Sequence, residues 1–104
     1  MQLDPYETEQ LLQNTPNLVI LDVREAWKYD TLPRLKAAHH LYVGDVASQI
    51  DTLVPDKDTP ILLYCTIGVK SHHALRTLQT LGYTQVHDGG GIDTWFGLLD
   101  PWLA

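Results

Sequence analysis

The 104-residue sequence predicts an α/β domain built on a mostly parallel central sheet with helices on both faces. Three observations predict it. Leu18-Val19-Ile20-Leu21 and Ile61-Leu62-Leu63-Tyr64 are short, continuous apolar runs, the pattern of strands covered on both faces. Amphipathic stretches with helical spacing alternate with them, as in a βαβ arrangement. The length suits one domain, residues 1–104, with one modest core.

The elements follow in order. Asp4-Pro5-Tyr6-Glu7 reads as a helix start, with Asp as N-cap, Pro in the first turn and Glu three residues after the cap. That helix is expected to run to about Asn14, closed by Pro16. The strand at Leu18–Leu21 is followed by a short helix at Glu25–Tyr29, a loop at Pro33–Ala38 and a strand at His39–Val43. Val46, Ile50, Leu53 and Val54 share a helical face. After the strand at Ile61–Tyr64, a loop spans Cys65–Lys70, with Ser71 as N-cap of the next helix. Ala74, Leu75, Leu78 and Leu81 line one side of that helix, and Gly82 stops it. Gln85–His87 reads as a short strand, Gly89-Gly90-Gly91 as a loop where backbone packs closely, and Ile92–Gly97 as a last helical turn. Trp27 and Trp95 are expected partly in the core, and Trp102 sits in a tail that packs back or marks a partner surface.

Composition narrows the function. Apolar residues make up 44% of the chain, which argues against extended disorder. No apolar run is long enough to span a bilayer. Met1–Gln10 is acidic and lacks a secretory signal's basic start and apolar core, so the cytoplasm is the expected location. The net charge of −6 argues against nucleic acid or an anionic membrane as the main partner, but leaves room for a locally positive anion site. One cysteine excludes an internal disulfide and a Cys-rich zinc centre. The adjacent pairs His39-His40 and His72-His73 suit chelation poorly, because neighbouring side chains diverge on strands and helices.

Chemistry concentrates on Cys65-Thr66-Ile67-Gly68-Val69-Lys70-Ser71. In open parallel sheets, sites lie beyond the carboxyl ends of strands, and Cys65 follows one. The segment leads into a helix N-terminus, whose free N–H groups and dipole favour an anion. Gly68 allows the loop to curl so that its amides converge, and Lys70 brings a positive charge to the mouth. A free thiol is only a few per cent thiolate at neutral pH, and helix N-termini with nearby cations favour the thiolate. The alternative from these residues alone is a small apolar Cys65 ending a core strand.

Three motifs together resemble the rhodanese family. Cys65–Ser71 is similar to its active-site loop, Cys-x-x-Gly-x-Arg-Ser, with Lys70 at the basic position. Leu21-Asp22-Val23-Arg24-Glu25 resembles its Asp-Val-Arg-Glu motif. Leu81-Gly82-Tyr83 followed by Gly89-Gly90-Gly91-Ile92-Asp93-Thr94-Trp95 resembles its Leu-Gly-Tyr and Gly-Gly-Ile-x-x-Trp signature. One stretch departs: the family's Gly-His-Ile-x-Gly-Ala stands here as Pro33-Arg34-Leu35-Lys36-Ala37-Ala38, without either Gly. The resemblance implies a thiosulfate sulfurtransferase in which Cys65 is the catalytic nucleophile and carries a persulfide. It implies that amides from Thr66 to Lys70 stabilise the negative sulfur and that Lys70 holds a small anionic donor such as thiosulfate. The acceptor is cyanide, a thiol or a protein, and no metal or organic cofactor is implied. Asp22 and Arg24 are supporting candidates, read first as a structural polar pair; Glu25 is read as a helix-start carboxylate and His72 and His73 as bystanders. Two other functions remain open: a persulfide relay module between proteins, and a cysteine phosphatase. The second is disfavoured because Cys-x5-Arg phosphatase loops are one residue longer, and the residue six after Cys65 is Ser71.

Overall fold

Every residue of Ile61-Leu62-Leu63-Tyr64-Cys65 is buried, and alternation sends them to opposite sides of a sheet. The computed structural model describes residues 2–104; Met1 lies outside the described residues. The chain runs α1 (Pro5–Asn14), β1 (Val19–Asp22), α2 (Ala26–Thr31), β2 (His39–His40), α3 (Val46–Leu53), β3 (Ile61–Cys65), α4 (Val69–Thr80) and β4 (Val86–Gly91), with 3-10 turns at Val43–Asp45, Ile92–Thr94 and Asp100–Trp102. The four strands pair in parallel in the order β2-β1-β3-β4. The expected α/β architecture is what the chain adopts.

Two apolar layers cover the sheet. Leu21, Ile61, Leu63 and Cys65 face Val46 and Ile50 of α3 and Ala74, Leu75 and Leu78 of α4. Ile20, Leu62 and Tyr64 face the other layer, with Trp95, Leu99, Leu11 of α1 and the C-terminal Trp102 and Leu103. A leucine buried on β3 contributes about 1.5–3 kcal/mol by leaving water, and truncating it to Ala costs about 2–5 kcal/mol.

Local chemistry explains the ends. α1 begins with the expected capping box: the Glu7 N–H donates to Asp4 Oδ1 at 2.7 Å, and the Asp4 N–H to Glu7 Oε1 at 3.0 Å. Gly82 ends α4 in the left-handed region at φ +94°.

Several expectations are corrected. β2 is only two residues long, because the chain turns into a 3-10 turn at Val43 where a longer strand was expected. β4 extends through Gly89–Gly91, so the triple glycine is strand rather than loop; between Leu63 and Cys65 its register against β3 shifts by one extra residue, a bulge. Trp27 is 59% exposed on α2, whereas Trp95 is fully buried. Trp102 packs back, its indole N–H donating to Glu9 Oε2 at 3.1 Å. Leu53 and Leu81 lie at the exposed margins of their helices.

Candidate active site

Cys65 closes β3, and α4 starts four residues later, so the loop between them lies at the carboxyl end of the sheet. The N-cap of α4 is Gly68 at φ +99°, not Ser71; helix geometry starts three residues earlier than expected and places Ser71 in the first turn. Gly68 has no side chain to cap the helix. The Cys65 sulfur takes that place: it accepts from the Gly68 N–H at 3.1 Å and the Ser71 N–H at 3.3 Å. Of the loop amides expected from Thr66 to Lys70, that of Gly68 reaches this sulfur, joined by that of Ser71 just beyond the range. Val69 and Lys70 occupy the first two helical positions, whose N–H groups have no intrahelical acceptor.

The Ser71 side chain is fully buried beneath the sulfur. Its Oγ lies 3.5 Å from Cys65 Sγ, 3.2 Å from the Gly68 carbonyl and 3.5 Å from the Gly90 carbonyl. Its one proton can serve only one acceptor at a time. Gly90 in turn is held by its N–H donating to Asp88 Oδ1 at 2.8 Å, so the β4 bulge forms the floor under the loop.

Cys65 is only 2% exposed, yet it lines an open pocket of about 440 Å³ with Lys28, Thr66, Ile67, Val69 and Lys70. Ile67 and Val69 form an apolar rim, 71% and 68% exposed.

Sequence reasoning missed two members of this site. Lys28 reaches over from α2, and its ammonium donates to Thr66 Oγ1 at 3.2 Å. Glu25, at the N-cap of α2, places Oε1 3.7 Å from Lys28 Nζ and Oε2 4.0 Å from Lys70 Nζ. Its own main-chain N–H, then the two ammonium charges, hold this carboxyl below its usual range, outweighing desolvation. The available signal was topological: β1 and β3 are neighbours in a parallel sheet, so the helix after β1 starts beside the loop after β3.

Asp22 and Arg24 lie outside the pocket lining. Arg24 Nε is 3.0 Å from both Asp22 oxygens and Nη2 is 2.7 Å from Oδ2, a pair 2% and 0% exposed. Arg24 also donates to the Pro33 carbonyl at 3.1 Å, tying the end of β1 to the following loop. His72 and His73 are exposed on α4 and do not line the pocket.

Comparison with known proteins settles the family. The profile of the Rhodanese-like domain matches residues 4–97. The chain belongs to the rhodanese-like domain family. Among curated relatives, it is 33% identical over 72 residues to the thiosulfate sulfurtransferase PspE of Escherichia coli, covering 69% of this chain and 68% of that protein. It is 28% identical over 95 residues to the thiosulfate sulfurtransferase GlpE of Coxiella burnetii, covering 90% and 85%. Among solved structures, a rhodanese with anions from E. coli superposes with a TM-score of 0.70 at 31% identity, covering 74% of this chain and 89% of that one. The human single-domain sulfurtransferase TSTD1 gives a TM-score of 0.79 at 18% identity, covering 93% and 96%, a likeness of fold. Thiosulfate sulfurtransferase is the activity named for PspE and GlpE, while two further relatives at 30% identity, of which this chain spans 36%, are tRNA uridine(34) hydroxylases of Legionella pneumophila. No described helix is long and apolar enough to cross a membrane.

Proposed function

We propose that this protein is a sulfurtransferase that carries sulfane sulfur as a persulfide on Cys65. The observation that supports it most is the Cys65 sulfur itself, capped by two main-chain N–H groups at the mouth of a pocket with two lysines. That environment stabilises negative charge on sulfur in both half-reactions.

In the first, the Cys65 thiolate attacks the outer sulfur of thiosulfate. The new S–S bond forms as the old one breaks, and sulfite leaves with the bonding pair. In the second, an acceptor such as cyanide attacks the outer sulfur of the persulfide, thiocyanate departs, and the thiolate returns. The first-turn N–H groups of Val69 and Lys70 are the donors available to the outer sulfur. Lys70 and Lys28 attract the donor's anionic end, each as a point charge without the bidentate grip of an arginine. Gly68 sets the curl of the loop, Thr66 anchors it to Lys28, Ser71 supports the sulfur from below, and Ile67 and Val69 shape the opening. Asp22 and Arg24 support the site by fixing the end of β1. No step calls for a metal or organic cofactor.

A second reading, relay of persulfide to or from another protein, is favoured by the exposed Ile67 and Val69 beside the opening. The phosphatase reading has no such support, since a loop with its basic residue at the fifth place after Cys65 is one residue short. Steady-state thiocyanate release tests the proposal. Ping-pong kinetics with thiosulfate and cyanide are expected, with Lys70→Ala raising KM for thiosulfate more than it slows turnover. An unchanged KM in that variant contradicts the role of Lys70. Poor thiosulfate turnover beside ready loading by a protein persulfide identifies the relay.

A further inference from the structure

The carboxylate of Glu25 is placed between two lysines rather than on the end of its own helix. It stands at the N-cap of α2 but makes no capping hydrogen bond. Its Oε1 is buried without a hydrogen-bond partner, at 3.7 Å from Lys28 Nζ, while Oε2 faces Lys70 at 4.0 Å across 45 residues of sequence. Both lysines line the Cys65 pocket, and Lys28 is also tied to the loop through Thr66. The cations that would meet an anionic reagent therefore already share an internal anion. Two positive charges and one negative leave a net of +1 at the mouth.

We propose that Glu25 sets the charge selectivity of this site: it competes with a dianionic donor such as thiosulfate for Lys28 and Lys70, and so favours donors of lower charge, such as the persulfide of a thiol. This deepens the sulfurtransferase reading and rests on it for its biological meaning. With such a donor, the Cys65 thiolate attacks the outer sulfur of R–S–SH. The S–S bond breaks, R–S⁻ leaves with the bonding pair, and Cys65 keeps the outer sulfur and its proton. Charge repulsion between Glu25 and the reagent grows with each negative charge the reagent carries, and it is partly screened by salt.

Alkylation of Cys65 tests this without requiring sulfur transfer. Iodoacetate and iodoacetamide are similar in size and differ in charge. In Glu25→Gln, the ratio of the iodoacetate rate to the iodoacetamide rate is expected to rise about threefold to tenfold over wild type at low salt, and the rise to shrink at ~0.5 M salt. In Lys28→Gln the same ratio falls. Glu25→Asp, which keeps the charge, stays nearer the wild-type ratio than Glu25→Gln does. An unchanged or lower ratio in Glu25→Gln overturns the proposal, because it would mean that Glu25 only holds the lysines in place. Loading with thiosulfate and with cysteine persulfide, which carries a lower net charge, separates the two readings. If the wild type takes sulfur from neither while the alkylation ratio responds as expected, the sulfurtransferase reading fails and the charge role stands. If it takes sulfur while the ratio does not respond, the charge role fails alone.

Discussion

Replacing Gly91 by alanine tests how tightly the β4 bulge and the Cys65 loop are packed together. Gly91 has an ordinary extended backbone, with φ −100°, so a side chain there incurs no left-handed strain. Space is the obstacle. A Cβ on Gly91 would collide with the Thr66 carbonyl oxygen and lie 2.6 Å from Ile67 Cα and 2.8 Å from Ile67 C. Ordinary contact starts at 3.4 Å, so the loop backbone must retreat by about 1 Å. The neighbours are main-chain atoms, which cannot swing aside as a side-chain end would. Overpacking of this kind costs about 1–3 kcal/mol. The lower chain entropy of unfolded Ala returns about 0.4–1 kcal/mol of that. We expect a net loss of about 1–2 kcal/mol by urea unfolding, with a fall in Tm of roughly 4 °C or more. The same shift moves the amides that face Cys65, so sulfur loading from thiosulfate should fall at least tenfold in the folded variant. Gly97→Ala is the control: at φ +83°, with nothing within 4 Å of the added Cβ, it carries only backbone strain of about 1–2 kcal/mol and leaves loading intact. Full stability and full loading in Gly91→Ala would refute the packing argument.

Three further outcomes follow from the buried and strained positions. Asp22→Ala leaves the Arg24 guanidinium buried without its ion pair and should cost about 3–5 kcal/mol; a loss below ~1 kcal/mol by urea unfolding would contradict the structural role given to the pair. Ala37 holds φ +64°, so Ala37→Gly relieves about 1–2 kcal/mol of strain against about 0.4–1 kcal/mol of added chain entropy, and urea unfolding should show a gain of up to about 1.5 kcal/mol rather than a loss. Burial lowers the His87 pKa in the fold, so the unfolded chain binds the proton more readily. The stability that neutral His87 brings is therefore present above the ordinary histidine range near pH 6.5 and is lost as pH falls through the lowered folded value. Tm profiles between pH 7.5 and 5 should be flatter in His87→Gln than in wild type, and identical slopes would refute the assignment.

Local signals made much of the frame legible. The α1 capping box, the two apolar runs and the Gly82 stop each act within a few residues, and each lies where the sequence places it. Tertiary forces decided the rest. Gly89–Gly91 have poor strand propensity, but pairing with β3 draws them into β4. Trp27 and Trp95 look alike in sequence; only the packing of the C-terminal turns against β3 buries the second. Ala37 occupies the left-handed position where the resembled motif has Gly, so the chain keeps the path at a cost in strain. The Cys65–Ser71 loop was readable because its chemistry is contiguous. Lys28 and Glu25 were not, because their meaning depends on α2 starting beside a loop some forty residues away.

Intact-mass measurement after incubation with thiosulfate tests the persulfide on Cys65 most directly. The expected result is a gain of one sulfur atom per chain, removed as thiocyanate when cyanide is added and absent in Cys65→Ala. No gain from thiosulfate or from a persulfide donor, or the same gain in Cys65→Ala, would contradict the account.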